Sequence, residues 1–167
     1  DGIESFFDPL LYFLVWLEKL MMNSPWPIII GIICGLAWMA SKSWKLVLGA
    51  AISFFLIGYF GMWKDCMATV AIITVCVIIC MTIGIPMGVI MARSNRAERT
   101  ILPVLDMMQT IPSFVYLIPI LMLLGIGKVP GLIAICIYAV PPIIRLTNLG
   151  IREVDKETIE ASEAFGA

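Results

Sequence analysis

The chain has 167 residues, 61% of them hydrophobic and 14% charged, with a formal net charge of −1. Soluble domains run at about 45–50% apolar and about 25% charged. A water-facing fold cannot hide this much apolar surface, so the composition suits a bilayer. The near-zero charge speaks against a nucleic-acid partner, which calls for a clustered basic face. The chain has no histidine, which removes Ser-His and Cys-His catalysis and most zinc sites. No enzyme is expected.

In chain order, residues 1–24 read as an external, interfacial segment. Asp1, Glu4 and Asp8 stand where a signal peptide needs a basic leader, and no initiator methionine is present. The chain is therefore expected to begin partway into a longer protein. Phe6–Met22 is apolar but carries Asp8, Pro9, Glu18 and Lys19, and is read as an interfacial helix in preference to a further span. Residues 25–149 form the transmembrane domain. Its five apolar stretches, Pro25–Ala40, Leu46–Trp63, Cys66–Ala92, Ile101–Leu124 and Gly131–Leu149, are measured against the roughly 20 helical residues a crossing needs. Residues 150–167 form a cytoplasmic tail.

Loop charge orients the chain. With Ser41–Lys45, Arg93–Thr100 and the tail inside, that side holds Lys42, Lys45, Arg93, Arg96, Arg99, Arg145, Arg152 and Lys156. The other side holds only Lys19, Lys64 and Lys128. This positive-inside bias places the N-terminus outside. Trp26, Trp44 and Trp63 fall at span ends, as interfacial aromatics do. Of the five cysteines, Cys76 and Cys80 are four apart and share a helix face. Their spacing points to no disulfide framework or metal site, and thiols used as small hydrophobes account for them.

The stretch Ile101–Leu124 carries Pro103, Asp106, Gln109, Thr110, Pro112, Tyr116 and Pro119. Each proline removes a backbone hydrogen bond and kinks a helix; such a span is tolerated against protein or a watery cavity. Asp106 costs roughly 2.5–3.5 kcal/mol at a helix centre, so it should not face lipid. On one continuous helix Asp106, Gln109 and Tyr116 share a face, with Thr110 beside them. This polar stripe reads as a pathway lining or a helix–helix seam. The plainer alternative has Asp106 reaching the cytoplasmic interface and the prolines acting only as kinks. The last stretch repeats the theme with Pro141, Pro142, Arg145 and Asn148. Arg145 either snorkels to the surface or pairs with Asp106. Gly125–Gly131 is a tight external turn, too poor in glycine for a phosphate loop.

In the tail, Asp155 caps a short helix running through Ala164, with Gly166 as its stop. Thr158, Ala161, Ala164 and Phe165 share a face, flanked by Glu157, Glu160 and Glu163. Glu160-Ala161-Ser162, then Gly166, resembles the E-A-A-x-x-x-G loop of ABC importer permeases, with serine at the third position. The runs Asp106–Pro119, Gly125–Gly131 and Pro141–Arg152 strongly resemble the permease subunit of glycine betaine/proline betaine importers. The resemblance is dense from about Met67 to Ala167.

That resemblance implies an all-α, polytopic membrane helix bundle with an incomplete type I ABC importer permease fold, cut off within the coupling loop. It implies a multi-pass protein of the cytoplasmic (inner) membrane that takes up compatible solutes. Glu160, Ala161, Ser162, Ala164, Phe165 and Gly166 would dock on a cytoplasmic ATP-binding subunit. Asp106, Gln109, Thr110, Pro112, Tyr116, Pro119, Pro141, Pro142 and Arg145 would line the pathway. A periplasmic or external substrate-binding protein, a second permease copy in a homodimer and membrane lipid are the other implied partners. ATP would bind the partner, because this chain has no G-x-x-x-x-G-K-[ST] loop and needs no cofactor of its own. Two alternatives remain: a permease for choline, carnitine or an amino acid, and a membrane scaffold or sensor that transports nothing.

Overall fold

The computed structural model describes residues 2–166; the side chains of residues 2–7, Lys156 and Glu163 lie outside the description. Among the described residues eight helices follow one another: α1 (Gly2–Asn23), α2 (Trp26–Ser41), α3 (Trp44–Tyr59), α4 (Trp63–Arg93), α5 (Asn95–Thr110), α6 (Ser113–Leu124), α7 (Lys128–Arg152) and α8 (Lys156–Ala164). The described residues form two compact units, which divide between Val75 and Cys76.

In the first unit, α2 and α3 pack as a hairpin. Lys42 takes the left-handed conformation at φ 49° and donates its N–H to the Trp38 carbonyl at 2.8 Å. This is the usual way for a helix to satisfy its last carbonyls. Trp38 and Trp44 close the hairpin edge-to-face, with ring centroids 5.9 Å apart. Pro25 precedes α2, and α1 meets α2 at a bend of 105°.

In the second unit α7 is central and packs against both α5 and α6. Met91, Leu105 and Ile144 are buried there, with Met87, Ile101, Leu102, Met108 and Val140 against them. Gly84 and Gly88 let α4 approach α7 closely. A Cβ at Gly84 would lie 2.7 Å from Ile143 Cγ2; at Gly88 it would lie 2.5 Å from Thr147 Cβ and 2.9 Å from the Ile144 carbonyl. Small residues four apart are how lipid-embedded helices gain contact where no hydrophobic drive exists.

The five predicted stretches thus take different forms. Among the described residues only α4 and α7 are individually long and apolar enough to cross a membrane. The pairs α1–α2 and α5–α6 pass that test only jointly, each with its bend, and α3 is a shorter apolar helix of 16 residues. The single kinked helix expected over Ile101–Leu124 is broken in two, with an 85° bend between α5 and α6. The cause is local. A residue before proline disfavours the α conformation, and Ile111, before Pro112, is extended at φ −74°, ψ 125°. Pro112 then opens α6 from φ −55°, ψ 137°.

Because Thr147 Cβ and the Ile144 carbonyl cannot both withdraw, Gly88→Ala is expected to destabilise the helix crossing by about 1–3 kcal/mol. Gly35→Ala, where no atom lies within 4 Å of the added Cβ, is the matched control. Thermal unfolding in detergent should show a lower midpoint for Gly88→Ala and an unchanged or higher one for Gly35→Ala.

Candidate functional site

Six polar residues of the second unit meet at the seam where α7 runs along α5: Asn95, Glu98, Asp106, Arg145, Asn148 and Arg152. Arg145, Asn148 and Arg152 are spaced three and four apart, so they share one face of α7. Glu98 and Asp106, about two turns apart, face them from α5. The helices run in opposite senses, so Asp106 meets Arg145 and Glu98 meets Arg152.

At the first rung, Arg145 Nη2 donates to Asp106 Oδ1 in an ion pair. This is the pairing that sequence reading left open against snorkelling. Arg145 Nε is buried and has no hydrogen-bond partner among the described residues. At the second rung, the Arg152 guanidinium joins three elements. Its Nε donates to Asn148 Oδ1 and its Nη2 to the Met91 carbonyl and Asn95 Oδ1, each at 3.0 Å. Glu98 Oε2 lies 3.0 Å from the same Nη2, and Glu98 Oε1 accepts from Asn148 Nδ2 at 3.0 Å. Asn148 is 7% exposed, so its amide would be costly to bury unpaired. The planar fork of arginine suits it to several fixed acceptors at once.

The predicted pathway residues separate at the 85° bend. Asp106 and Gln109 lie on α5 and Tyr116 on α6, so the continuous stripe expected of them does not form. Gln109 is exposed, and the Thr110 hydroxyl donates to the Met107 carbonyl at 3.2 Å, turned back on its own helix. Tyr116 is half-buried, and its buried hydroxyl has no partner among the described residues. Pro112 stands at the break; Pro119 lies exposed within α6; Pro141 is buried and Pro142 half-buried in α7.

The six predicted docking residues lie together at the chain's end. Glu160, Ala161, Ser162 and Ala164 are on α8, followed by Phe165 and Gly166, and all six are exposed. Gly166 has φ +86°, a conformation that suits glycine, so the helix stops there without strain. Ile159 and Phe165 are 44% and 93% exposed, leaving an apolar tip uncovered. Glu163, expected on the flank of this helix, has its side chain outside the description.

No local pattern in the sequence joins Asn95, Glu98 and Arg152 into a network. Its signal was the Arg145, Asn148, Arg152 spacing on α7, matched by the two-turn spacing of Glu98 and Asp106 on α5. A concavity of about 520 Å³ in the first unit, among Trp26, Phe55, Tyr59 and Trp63, has no charged lining residue and holds none of the predicted site residues.

Residues 84–167, the stretch holding α5 to α8 and the seam, match the family described as binding-protein-dependent transport system inner membrane component. The chain belongs to this family. It is therefore a membrane-embedded, helical transport component and not an enzyme. Similar proteins include the glycine betaine/proline betaine transport system permease protein ProW of Escherichia coli (strain K12), 44% identical over 159 residues, 95% of this chain and 45% of that protein. The glycine betaine/carnitine transport permease protein GbuB of Listeria monocytogenes is 43% identical over 145 residues, 86% of this chain and 51% of that protein. The glycine betaine transport system permease protein OpuAB of Bacillus subtilis (strain 168) is 43% identical over 167 residues, 100% of this chain and 56% of that protein. The chain spans about half the length of these relatives.

In this family member the second rung depends on geometry as well as charge. Arg152→Ala is expected to cost about 1–3 kcal/mol, because Asn148 and Glu98 lose partners in a half-buried site. Arg152→Lys, which keeps the charge but not the fork, should recover less than half of that loss. Denaturant midpoints in detergent decide the point; equal stability of Arg152→Lys and the parent would show that charge alone suffices.

Proposed function

We propose that this chain forms part of the translocation pathway of an ATP-driven importer for glycine betaine/proline-type compatible solutes. The observation that carries the reading is α8: a short helix whose described side chains are all exposed, bearing Glu160-Ala161-Ser162 and followed by Gly166, directly after the central helix of a binding-protein-dependent transport component. An exposed apolar tip such as Phe165 suits a partner's groove, and we assign that partner as a cytoplasmic ATP-binding subunit that supplies the nucleotide site. An external binding protein delivers the solute, and a second permease copy completes the pathway within the lipid. The cargo assignment rests on the names of the relatives, which specify glycine betaine in ProW, GbuB and OpuAB. Carnitine, in the name of GbuB, is the second candidate.

In this reading residues 150–167 are the cytoplasmic coupling segment, residues 25–149 the transmembrane domain and residues 1–24 an external segment. Closure of the ATPase displaces α8, and α7 carries the movement to the Arg152–Glu98 and Arg145–Asp106 rungs. The 85° break at Ile111-Pro112 then lets α6, with Tyr116 and Pro119, reorient against α5. Gln109, Thr110, Pro141 and Pro142 flank that break and the facing helix as pathway residues. A rigid element ending at a compliant joint is a common basis for alternating access.

Replacing Glu160 or Gly166 in the full-length permease should uncouple ATP hydrolysis from uptake while leaving membrane insertion intact; undiminished uptake would refute the coupling role. Asp106→Asn, which leaves Arg145 without its charged partner, should reduce labelled betaine uptake at least tenfold with expression changed less than twofold, an activation cost of about 1.4 kcal/mol or more. Asn95→Cys should react with impermeant maleimide only from the cytoplasmic side, and external labelling would reverse the proposed orientation.

A further inference from the structure

Three cysteines converge inside the second unit, away from the polar seam. Cys76 and Cys80 stand one turn apart on α4, and Cys136 reaches them from α7. Cys76 and Cys80 Sγ are 3.6 Å apart, and Cys136 Sγ lies 3.4 Å from Cys76 Sγ. All three sulfurs fall within 4.8 Å of one another. Cys76 is 2% and Cys80 0% exposed, and Cys136 is half-buried. These separations are far longer than a disulfide bond of about 2.05 Å, so the trio is a set of free thiols.

We propose that Cys76, Cys80 and Cys136 form a three-sulfur site for a soft d10 cation of the Cu(I) class. The size fits: three sulfurs at about 2.3 Å from a central ion stand about 4.0 Å apart, within the span these three occupy. The donor chemistry fits as well. Thiolate sulfur selects soft ions such as Cu(I) and rejects Mg2+ and Ca2+. No histidine exists in the chain to offer a mixed site. A structural zinc ion takes four protein ligands, and the described residues bring only three sulfurs together here. Binding recruits the sulfurs as thiolates and releases their protons to solvent. The bound ion would tie α4 to α7 on the same pair of helices that cross at Gly84 and Gly88.

The test uses the intact permease, purified in detergent with its cysteines reduced, and anaerobic Cu(I) supplied as its bicinchoninate complex. The parent protein and the double variant C34S/C66S, which keeps the trio as the only cysteines of residues 1–167, should each withdraw one Cu(I) per chain. X-ray absorption should show an all-sulfur, three-coordinate ion in both, and C80S should lose it. No withdrawal by the parent overturns the proposal, as does oxygen or nitrogen ligation, or loss of binding in C34S/C66S. If C80S does not fold, the C34S/C66S result decides, since the trio is the one group of three cysteines among the described residues. None of these outcomes depends on the solute or the ATPase.

Discussion

Two arginines on one helix, each paired with a carboxylate on the helix beside it, organise the second unit. Arg145 and Arg152 sit on the central helix, and each meets a carboxylate of α5, Asp106 and Glu98 respectively. Once these pairs form, the relative register of α5 and α7 follows, and the apolar faces that meet beside them, Met91, Leu105 and Ile144, come together. The pairs by themselves are weak evidence of stability, since desolvation offsets much of their attraction. Their firmer consequence is specificity of pairing: apolar helices slide against one another at little cost, and a guanidinium hydrogen-bonded to three fixed acceptors and paired with Glu98 does not.

The break between α5 and α6 is the second organising feature, and it arises from backbone chemistry alone. Pro112 offers no N–H and pushes Ile111 out of the helical conformation. The result divides residues that helical spacing would have joined. Asp106 is committed to α7, while Tyr116 rides on a different helix with its hydroxyl unpartnered among the described residues. One segment thus holds a fixed half and a half free of that seam.

Much of this was legible in the residue pattern, and the failures have physical causes. Apolar runs located the helices, because a lipid-facing helix is apolar nearly all round; α4 and α7 follow Cys66–Ala92 and Gly131–Leu149 to within a few residues. The end of α8 was legible because a glycine stop is a local signal. Three prolines in Ile101–Leu124 announced a disturbance without saying whether it would be a kink or a full break. The long-range pairs were hardest to see. Arg145 meets a residue 39 positions away, Arg152 one 57 away, and Cys136 one 60 away. No local periodicity encodes such meetings. The Asp106–Arg145 pair was reachable only as one of two options, and the cysteine trio was invisible because its third member lies on another helix.

The two rungs also behave as a detent. On α5 their acidic members are eight residues apart and on α7 their arginines are seven apart, so both match at a single register. Sliding α7 along α5 until Arg145 faced Glu98 would take about 12 Å of travel, and at intermediate positions neither arginine would meet a carboxylate. Displacements smaller than that are resisted and returned, so a push on one helix is passed to the other without slip.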